Sequence, residues 1–510
     1  MNIVKFGGPT LALLGALSLV GCNSGGGSDT QQVAPSSNKM SSGVITGTKQ
    51  DSITVNGVSY KTSSATVTMD GSASTPDNLG VGMVVSVDGT VDANGTTGTA
   101  SQVEYKDELE GIVTDATIDP NSGTGTLTVM GQTVNVDADT TFESHIDGIT
   151  TVADVKKDNI VEVSGYSNGD GTIYATRVEV KKAMHEHGEE IEVKGTIKDT
   201  VTDSTFEIGT LTVFYDTSTV MDSLPNKKPE AGLYVEVKSV VALNADGQLV
   251  ASKIELEGDG KRGHDGKEGD QVEMEGVVTA VTAPVDPATT PSDFMLNGKA
   301  VKITTDTVFD NGHTAADIAE GVKLEVKGTI DAEGTLVADK IEFRMKAEIE
   351  MKAMIDAIDA DTNNPIVLGQ TIAIDALTKL HGESNMANAT ANLTTADLAA
   401  GDCVEVRAYM DANSQLVATK LERIGVSTVN MGGATVDMCA NAKLKGPVDA
   451  DIAADATTMT VAGVNVDFSV DSTFTAAAGD KVEIKGTYDA TTGVLTAKEI
   501  SKEGSHVIMK

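Results

Sequence analysis

The chain has 510 residues and a formal net charge of −37, from 38 basic and 75 acidic side chains. This charge argues against nucleic acids and anionic membrane surfaces as partners, because it would repel the phosphate groups of both. Aromatic residues make up 3% of the sequence and Trp is absent, so a core must be built from Val, Ile, Leu, Ala and Met. The 52 glycines suit short strands joined by tight turns.

The first residues form a secretion signal. Lys5 is followed by the apolar run "TLALLGALSLV" at residues 10–20, which is too short to cross a bilayer as a helix. The run leads into "LVGC", whose Cys is Cys22, and these four residues resemble the lipobox of bacterial lipoproteins. The resemblance implies that residues 1–21 are a lipoprotein signal peptide and that Cys22 becomes the diacylated first residue of the mature chain.

The residues after the lipidated Cys indicate a location. Residue 23 is Asn rather than the Asp that retains such lipoproteins at the inner membrane. The resemblance therefore implies a lipid anchor in the outer membrane of a Gram-negative bacterium. Residues 22–40 are rich in Gly and Ser and predict a lipidated flexible tether. Whether the chain faces the periplasm or the medium stays open.

The rest of the chain is built from an internal repeat. The segment "NGDGTIYATRVE" at residue 168 returns, with substitutions, as "NADGQLVASKIE" at 244, "DAEGTLVADKIE" at 331 and "DANSQLVATKLE" at 411. Its small residue recurs 75 to 87 residues apart, at Ala100, Ala175, Ala251, Ala338, Ala418 and Ala497. A period of this length is that of a domain, and is much longer than a solenoid repeat.

The repeated segment contains Asp170 and Gly171, which look like part of a calcium loop. A metal ligand should be kept in every copy, but the position of Asp170 is Asp, Glu, Asn or Thr elsewhere. The Gly returns as Gly247, Gly334 and Gly493, and Gly adopts the positive φ of a tight turn without strain. The segment therefore predicts a hairpin turn.

Each unit contains the elements of a small barrel. Apolar strands lead into two-residue turns, of which Asn56-Gly57 and Asn297-Gly298 are strong hairpin signals. A short stretch rich in Ala and Asp predicts one helical turn before the fourth strand. A change in the parity of apolar residues between Ala251 and Ile254 predicts a bulge in the last strand. Five strands, a bulge and a helical insert are typical of the OB-like barrel.

The fold class that follows is all-β, with about six tandem five-stranded OB-like β-barrels after the signal peptide and tether. The predicted barrels lie at residues 41–107, 108–186, 187–269, 270–346, 347–442 and 443–510. The fifth barrel carries an extra hairpin at residues 425–439.

The repeated pattern also resembles a known family. Tandem units that read "G-x-I", "F-x-V-N-G", "G-x-x-V-E-V-K-G" and "D-G-x-L-x-A-x-x-I-E" after a lipobox are similar to the bacterial lipoprotein domain called domain of unknown function 5666. The resemblance covers almost all of the mature chain. It implies a small β-barrel and an envelope location, and it supplies no catalytic residues.

Two cysteines remain outside the signal region, Cys403 and Cys439. A disulfide between them is expected in an oxidising compartment. It would attach the extra hairpin to the fifth barrel. A redox-active pair is the alternative, but there is no C-x-x-C motif and no neighbouring base.

Two linkers between predicted barrels carry candidate metal ligands. His185, Glu186 and His187 lie in "MHEHGEE", and His264 and Asp265 lie in "GHDGKEGD". Imidazole with carboxylate binds divalent transition metals, and acidic loops bind calcium weakly. The two linkers match neither each other nor a closed site, so solvated, charged linkers are the simpler interpretation. No cofactor is expected beyond weak binding of a divalent metal.

The repeats share no recurring polar cluster, and no nucleophile stands beside a base in a recognisable motif. We therefore predict a non-enzymatic, lipid-anchored envelope or cell-surface protein that acts as a multi-repeat binding or structural scaffold. Its partners would be the membrane, through the anchor, and an unknown envelope or extracellular protein or polymer. The alternative function is a divalent-cation-binding lipoprotein that uses the His and acidic residues of the linkers.

Overall fold

The computed structural model describes residues 37–502 apart from a set of gaps. The gaps lie at 94, 121, 169–170, 185–187, 189, 242, 257–265, 283–292, 311, 383–392, 412, 427, 432–433, 438, 440, 454 and 472. The described residues form β-strands and short 3₁₀ helices that are arranged in six modules, numbered here in chain order. Among these residues, no helix has both the length and the apolar character needed to cross a membrane.

The first three modules contain strands β1 to β19. Module 1 has β1 (Ser37–Lys49), β2 (Ser52–Val55), β3 (Val58–Lys61), β4 (Thr66–Met69), β5 (Ser72–Ser74), β6 (Val84–Val91) and β7 (Thr97–Tyr105). Module 2 has β8 (Leu109–Ile118), β9 (Gly125–Val129), β10 (Gln132–Val136), β11 (Thr141–Ser144), β12 (Ile160–Ser167) and β13 (Thr172–Lys182). Module 3 has β14 (Ile191–Thr196), β15 (Thr205–Ile208), β16 (Leu211–Phe214), β17 (Tyr234–Ser239), β18 (Leu249–Val250) and β19 (Lys253–Leu256).

The last three modules contain strands β20 to β38. Module 4 has β20 (Gln271–Thr282), β21 (Asp293–Leu296), β22 (Lys299–Lys302), β23 (Val308–Phe309), β24 (Lys323–Ile330) and β25 (Leu336–Phe343). Module 5 has β26 (Ile349–Ile358), β27 (Pro365–Val367), β28 (Gln370–Ala373), β29 (Lys379–Gly382), β30 (Asp402–Met410), β31 (Leu416–Val426), β32 (Thr428–Met431) and β33 (Ala434–Asp437). Module 6 has β34 (Ala442–Pro447), β35 (Thr458–Val461), β36 (Val464–Asp467), β37 (Lys481–Asp489) and β38 (Val494–Lys502).

Every module is a closed five-stranded barrel. In module 2, β8 pairs antiparallel with β9 and β12, β9 with β10, and β12 with β13, while β10 pairs parallel with β13. We call β8, β9, β10, β12 and β13 the first to fifth strands, and the other modules repeat their order. In modules 3 and 6 the first and second strands meet at the bridges Ile197–Ile208 and Val448–Val461. The predicted all-β fold of tandem OB-like barrels is confirmed.

The predicted bulge lies in the fifth strand. In module 2 the register between β12 and β13 shifts after Ala175, so that Thr176 has no partner on the opposite strand. The carbonyl of Ala175 accepts a hydrogen bond from the Thr140 hydroxyl at 2.9 Å. The same bond joins Thr307 to Ala338 at 2.7 Å. The recurring small residue of the sequence is thus the residue before the bulge.

The predicted turns are also confirmed. Gly171, Gly247, Gly334 and Gly493 all have positive φ, between 69° and 106°. Asp170 itself lies outside the described residues. Within the part of the chain that the structure describes, the short stretch before the fourth strand is a single 3₁₀ turn in five modules, at Pro76–Asn78, Val152–Asp154, Pro225–Lys227, Ala315–Asp317 and Thr395–Asp397.

The modules join through their first strands. β8 pairs antiparallel with β14, which links modules 2 and 3, and β26 pairs antiparallel with β34, which links modules 5 and 6. β1 pairs parallel with β20, from Met40–Val272 to Ser42–Met274, and this pairing links modules 1 and 4. The first two links join neighbours in the sequence. The third joins modules that are separated by two others, and the repeat pattern does not predict it.

The extra hairpin of module 5 is present as the antiparallel pair β32 and β33. A disulfide joins Cys403, at the start of β30, to Cys439, just after β33. Both cysteines are buried, and Ile424 packs with them. The predicted disulfide is therefore confirmed, and it attaches the hairpin to the barrel.

Candidate functional site

A cavity of about 240 Å³ lies where modules 1, 2, 4 and 5 meet. Module 1 contributes its first strand, and module 4 contributes the middle of its first strand, the start of its fourth strand and the end of its fifth strand. Modules 2 and 5 contribute equivalent segments, namely the end of the third strand, the fourth strand and the bulge of the fifth strand. We call this cavity the central cleft, and take it as the candidate site because clefts between domains are common places for ligand binding.

Tyrosines are concentrated at the central cleft. Tyr166, Tyr174 and Tyr409 line it, and the whole chain has 8 Tyr. Tyr166 and Tyr409 occupy the same position of the repeat, directly after the residue that faces the bulge. The other four modules have Thr or Val there, at Thr90, Val240, Thr329 and Thr487. The aromatic residue at this position is therefore restricted to the two modules that face each other across the cleft.

Glu275 of module 4 forms the ionic centre of one wall. Its carboxylate lies 2.8 Å from the Lys323 ammonium and 3.2 Å from Nε of Arg344, and it accepts a hydrogen bond of 3.0 Å from the Tyr166 hydroxyl. Burial raises its pKa, but the charges of Lys323 and Arg344 outweigh burial and hold the pKa at about 2. Glu275 is therefore ionised at neutral pH and fixes Tyr166 of another module.

Lys379 of module 5 also lines the central cleft. Its side chain is buried, and its ammonium donates a hydrogen bond of 2.5 Å to the Asp139 carbonyl of module 2. Burial lowers the pKa of Lys379 to about 8, helped by the positive charge of Lys323 and opposed by Asp139, Asp137 and Glu275. The equivalent residue of module 2 is Thr141, which pairs in the same register with the fifth strand. A buried Lys is thus a feature of module 5.

Polar contacts between modules hold the cleft in shape. The bulge residues Thr176 and Thr419 both donate to another module, Thr176 to the Gly82 carbonyl at 2.7 Å and Thr419 to the Asp139 carboxylate. Thr46 of module 1 donates to the Ala376 carbonyl of module 5 at 2.8 Å. Because these bonds come from three modules, the cleft depends on the assembly of the modules and not on one barrel.

Charged residues also recur at the three links between first strands. Glu192, Glu273 and Glu350 occupy one repeat position, and they are 6%, 1% and 4% exposed. Each forms ion pairs, for example Glu350 with Lys443 of the next module at 2.7 Å and Glu273 with Lys39 of module 1 at 2.5 Å. The expectation that the repeats share no polar cluster is therefore wrong for these modules. On an isolated barrel these residues would face solvent, and here they lie between barrels.

One cluster of three carboxylates at these links has the spacing of a metal site. Oxygens of Asp70, Asp107 and Glu192 lie within 4.8 Å of one another, the only such group of three among the described residues. The Lys194 ammonium lies 2.8 Å from Asp107 and 3.2 Å from Glu192. Because an ammonium already lies within ion-pair distance of two of these carboxylates, the geometry is that of an ion-pair network rather than of a metal centre.

Comparison with known proteins decides the family. A family described as "Domain of unknown function (DUF5666)" matches six segments, at residues 42–104, 110–179, 194–255, 267–342, 352–422 and 445–501. The chain belongs to this family. Each match falls on one DUF5666 module of the structure. No curated protein matches the chain.

A solved structure described as "drosophila Unr CSD456" resembles the chain at 12% identity. The similarity covers 44% of this chain and 99% of that chain, with a TM-score of 0.13. A score this low carries no argument about fold or function, so the OB-like assignment of the DUF5666 modules rests on their strand order.

Several predicted sites lie outside the described residues. These are the lipidation site Cys22 and the candidate metal ligands His185, Glu186, His187, His264 and Asp265. Within the described residues, the structure instead brings together Tyr166, Tyr409, Glu275 and Lys379, which sequence reasoning did not select. The available signal was departure from the repeat, because Tyr409 and Lys379 replace residues that are Thr or Val in most DUF5666 copies.

Proposed function

We propose that this chain is a non-enzymatic, lipid-anchored protein of the bacterial envelope that acts as a binding scaffold made of six joined modules. The observation that carries the proposal is the parallel pairing of β1 with β20, which brings modules 1 and 4 together and builds a cleft from four modules. A chain of independent barrels would present one similar surface per module. This chain presents a composite surface that no single module contains.

The chemistry of the cleft favours binding over catalysis. Among its described lining residues there is no Ser, Cys or His that would form a nucleophile and base pair. Glu275 is held by Lys323, Arg344 and Tyr166, so its role is to fix the walls. A carboxylate that is already paired in this way is suited to hold the walls of a binding site and not to transfer protons.

The anchor follows from the lipobox-like residues that end at Cys22. Diacylation there would hold the modules at the outer membrane through the flexible tether. Fractionation of a Gram-negative host that expresses the full chain tests this part. We expect the chain in the outer-membrane fraction and Cys22→Ser in the soluble fraction. If Cys22→Ser stays with the membrane to the same extent, the proposed anchor is wrong.

The scaffold role is tested by photo-crosslinking in the same cells. A photo-reactive amino acid is placed at Leu377, which lines the cleft and is 37% exposed, and separately at Val470 of module 6, which is 52% exposed. We expect adducts with an envelope component from position 377, and few from the more exposed position 470. Equal yields from both positions, or none from 377, would contradict a binding role for the composite surface.

A further inference from the structure

Lys379 of the central cleft is not inherited from the repeat. Lys379 stands where module 2 has Thr141, module 3 has Val220 and module 4 has Val308. A buried Lys whose pKa falls to about 8 is held in a poor environment for its charge. Burial of an ionisable group at a cost in stability is typical of functional sites.

The charges of the cleft indicate a neutral ligand. Carboxylates and basic groups line the same small volume, and Glu275 already lies between Lys323 and Arg344. An anionic ligand would face aspartates such as Asp139 and Asp375, while a cationic ligand would face the basic groups. A neutral molecule that both donates and accepts hydrogen bonds can use both kinds of group.

The size of the cleft and its aromatic residues further restrict the class of ligand. A volume of about 240 Å³ lies below the roughly 300–1,000 Å³ of sites for drug-sized molecules. Tyr409 and Tyr174 supply rings with a polar tip, and Val44, Val277 and Val417 supply small apolar surfaces. A single sugar ring has this size, with apolar C–H faces and many hydroxyl groups around its edge.

We propose that the central cleft binds one neutral pyranose ring of a saccharide. Tyr409 and Tyr174 contact the faces of the ring, and Lys379 and the aspartates bond to its hydroxyl groups. This inference rests on the proposed binding role and names its ligand class, and it does not depend on the lipid anchor.

Saturation-transfer NMR on the full-length chain tests the proposal, in a detergent without a sugar headgroup. The probes are the methyl glycosides of D-glucose, D-galactose and D-mannose, with D-glucuronate and D-glucosamine as charged analogues of the same ring. We expect saturable transfer to at least one methyl glycoside, and at least tenfold weaker binding of both charged analogues. No saturable binding of any methyl glycoside, or tighter binding of a charged analogue, would overturn the proposal.

Variants assign the binding to the cleft. Tyr409→Ala should weaken binding at least tenfold, whereas Tyr409→Phe, which keeps the ring, should retain most of it. Tyr215 of module 3 does not line the cleft, so the Tyr215→Ala variant should bind the sugar with the affinity of the wild type. Binding that survives Tyr409→Ala in a chain with unchanged thermal unfolding would place the sugar elsewhere and overturn the assignment.

Lys379→Met separates a binding role from a structural one. Because its environment disfavours the charge, we expect this variant to lose at least tenfold in affinity without a fall in its melting temperature. Lys498→Met, at an exposed Lys in module 6, is the matched control and should change neither quantity. Loss of affinity together with a large fall in melting temperature would mean that Lys379 is structural. Failure of sugar binding with position-377 adducts retained would overturn this inference and leave the scaffold proposal standing.

Discussion

The link between modules 2 and 3 and the link between modules 1 and 4 both join first strands, but the strands pair antiparallel in the first link and parallel in the second. In the first, Gln132 follows the hairpin Gly and donates from Nε2 to the Ile208 carbonyl of the next module at 3.0 Å. In the second, Asn297 precedes the hairpin Gly and donates to the Glu275 carbonyl of its own first strand at 3.1 Å. The same turn therefore faces a neighbouring module in one link and its own barrel in the other.

The difference shows how one repeated module can have different partners. Modules 2 and 5 both have Gln after the hairpin Gly, and Gln370 donates to the Gly463 carbonyl of module 6 at 3.0 Å, as Gln132 does in module 2. Modules 1 and 4 both have Asn before it, and Asn56 donates to the Ser42 carbonyl of its own first strand at 3.0 Å. The two Gln modules pair antiparallel with the next module, and the two Asn modules pair with each other.

Lys194→Met should weaken the link between modules 2 and 3, and we expect it to lower the free energy of unfolding more than any other change. Its ammonium lies within 3.2 Å of Asp107, Glu192 and Glu236, and the Lys194 side chain is 4% exposed. Its loss removes the cation that these three buried carboxylates share, and Lys238 stays beside Glu192 and Glu236. We expect a loss of about 3–5 kcal/mol in the free energy of unfolding, as for one partner of a buried ion pair. Denaturant unfolding of the full chain measures it.

The exposed ion pair of Lys227 with Asp222 gives the matched control for Lys194. Lys227→Met should leave the unfolding midpoint unchanged, because both groups face solvent. Equal effects of the two variants would mean that the charges at the module 2–3 link do not stabilise it.

Asn297→Ala should disturb the link between modules 1 and 4. The Asn side chain accepts from the Val277 amide at 2.9 Å, donates to the Glu275 carbonyl and sits at a φ of 48°. We expect a loss of about 2 kcal/mol, because two buried backbone groups lose their partners and Ala is strained at positive φ. Asn363→Ala, at an exposed Asn with a φ of 58°, measures the backbone part alone. If both variants lose the same amount, the hydrogen bonds of Asn297 contribute nothing.

Glu110 should make the module 2–3 link sensitive to pH. Burial raises its pKa to about 7, aided by the charge of Glu162 and opposed by Lys181. A Glu whose pKa is raised in the folded state favours folding at low pH, and this stability is lost as pH rises from about 4.5 through about 7. The free energy of unfolding of Glu110→Gln should therefore exceed that of the wild type by about 1–2 kcal/mol at pH 8 and should equal it at pH 4. A gain that is equal at both pH values would exclude titration of Glu110 as the cause.

Gln132→Ala should have the smallest effect on stability. Together with Gln370→Ala it compares the two antiparallel links. We expect a loss of about 1 kcal/mol, which is typical of one hydrogen bond. Gln370→Ala removes the same bond at the module 5–6 link, and should cost less because Gln370 is half-buried while Gln132 is 1% exposed. Gln102→Ala, in the fifth strand of module 1, is a control outside both links. A loss at Gln102 as large as at Gln132 would contradict the role of the hairpin Gln.

The sequence was sufficient for features that are local in the chain. The positive φ of Gly247 and Gly334 and the bulge after Ala338 follow from short-range patterns. The disulfide between Cys403 and Cys439, which lie 36 residues apart, follows instead from the oxidising compartment that the signal predicts. Periodicity averages over copies, so it recovers what the copies share. That is why the barrel fold of the repeats was predictable.

The partners of the first strands and the central cleft were not predictable in this way. Whether β1 pairs with β20 or with β8 depends on contacts between distant segments, and no periodic signal records it. The burial of Glu273 and Glu350 was not predictable, because the pattern of one strand does not show a second barrel against it. Tyr409 and Lys379 are single departures from the repeat, and their meaning appears only when modules 2 and 5 face each other.

The central claim is that modules 1 and 4 pair through β1 and β20, since the cleft exists only if they do. Met40 and Val272 are direct partners in that pairing, and paired strands bring two Cα atoms within the range that a disulfide spans. In the full-length chain, Met40→Cys with Val272→Cys should form a disulfide that peptide mass mapping identifies, whereas Met40→Cys with Val470→Cys should not. A Cys at 40 that stays free beside a Cys at 272, or that bonds equally well to one at 470, would contradict the account.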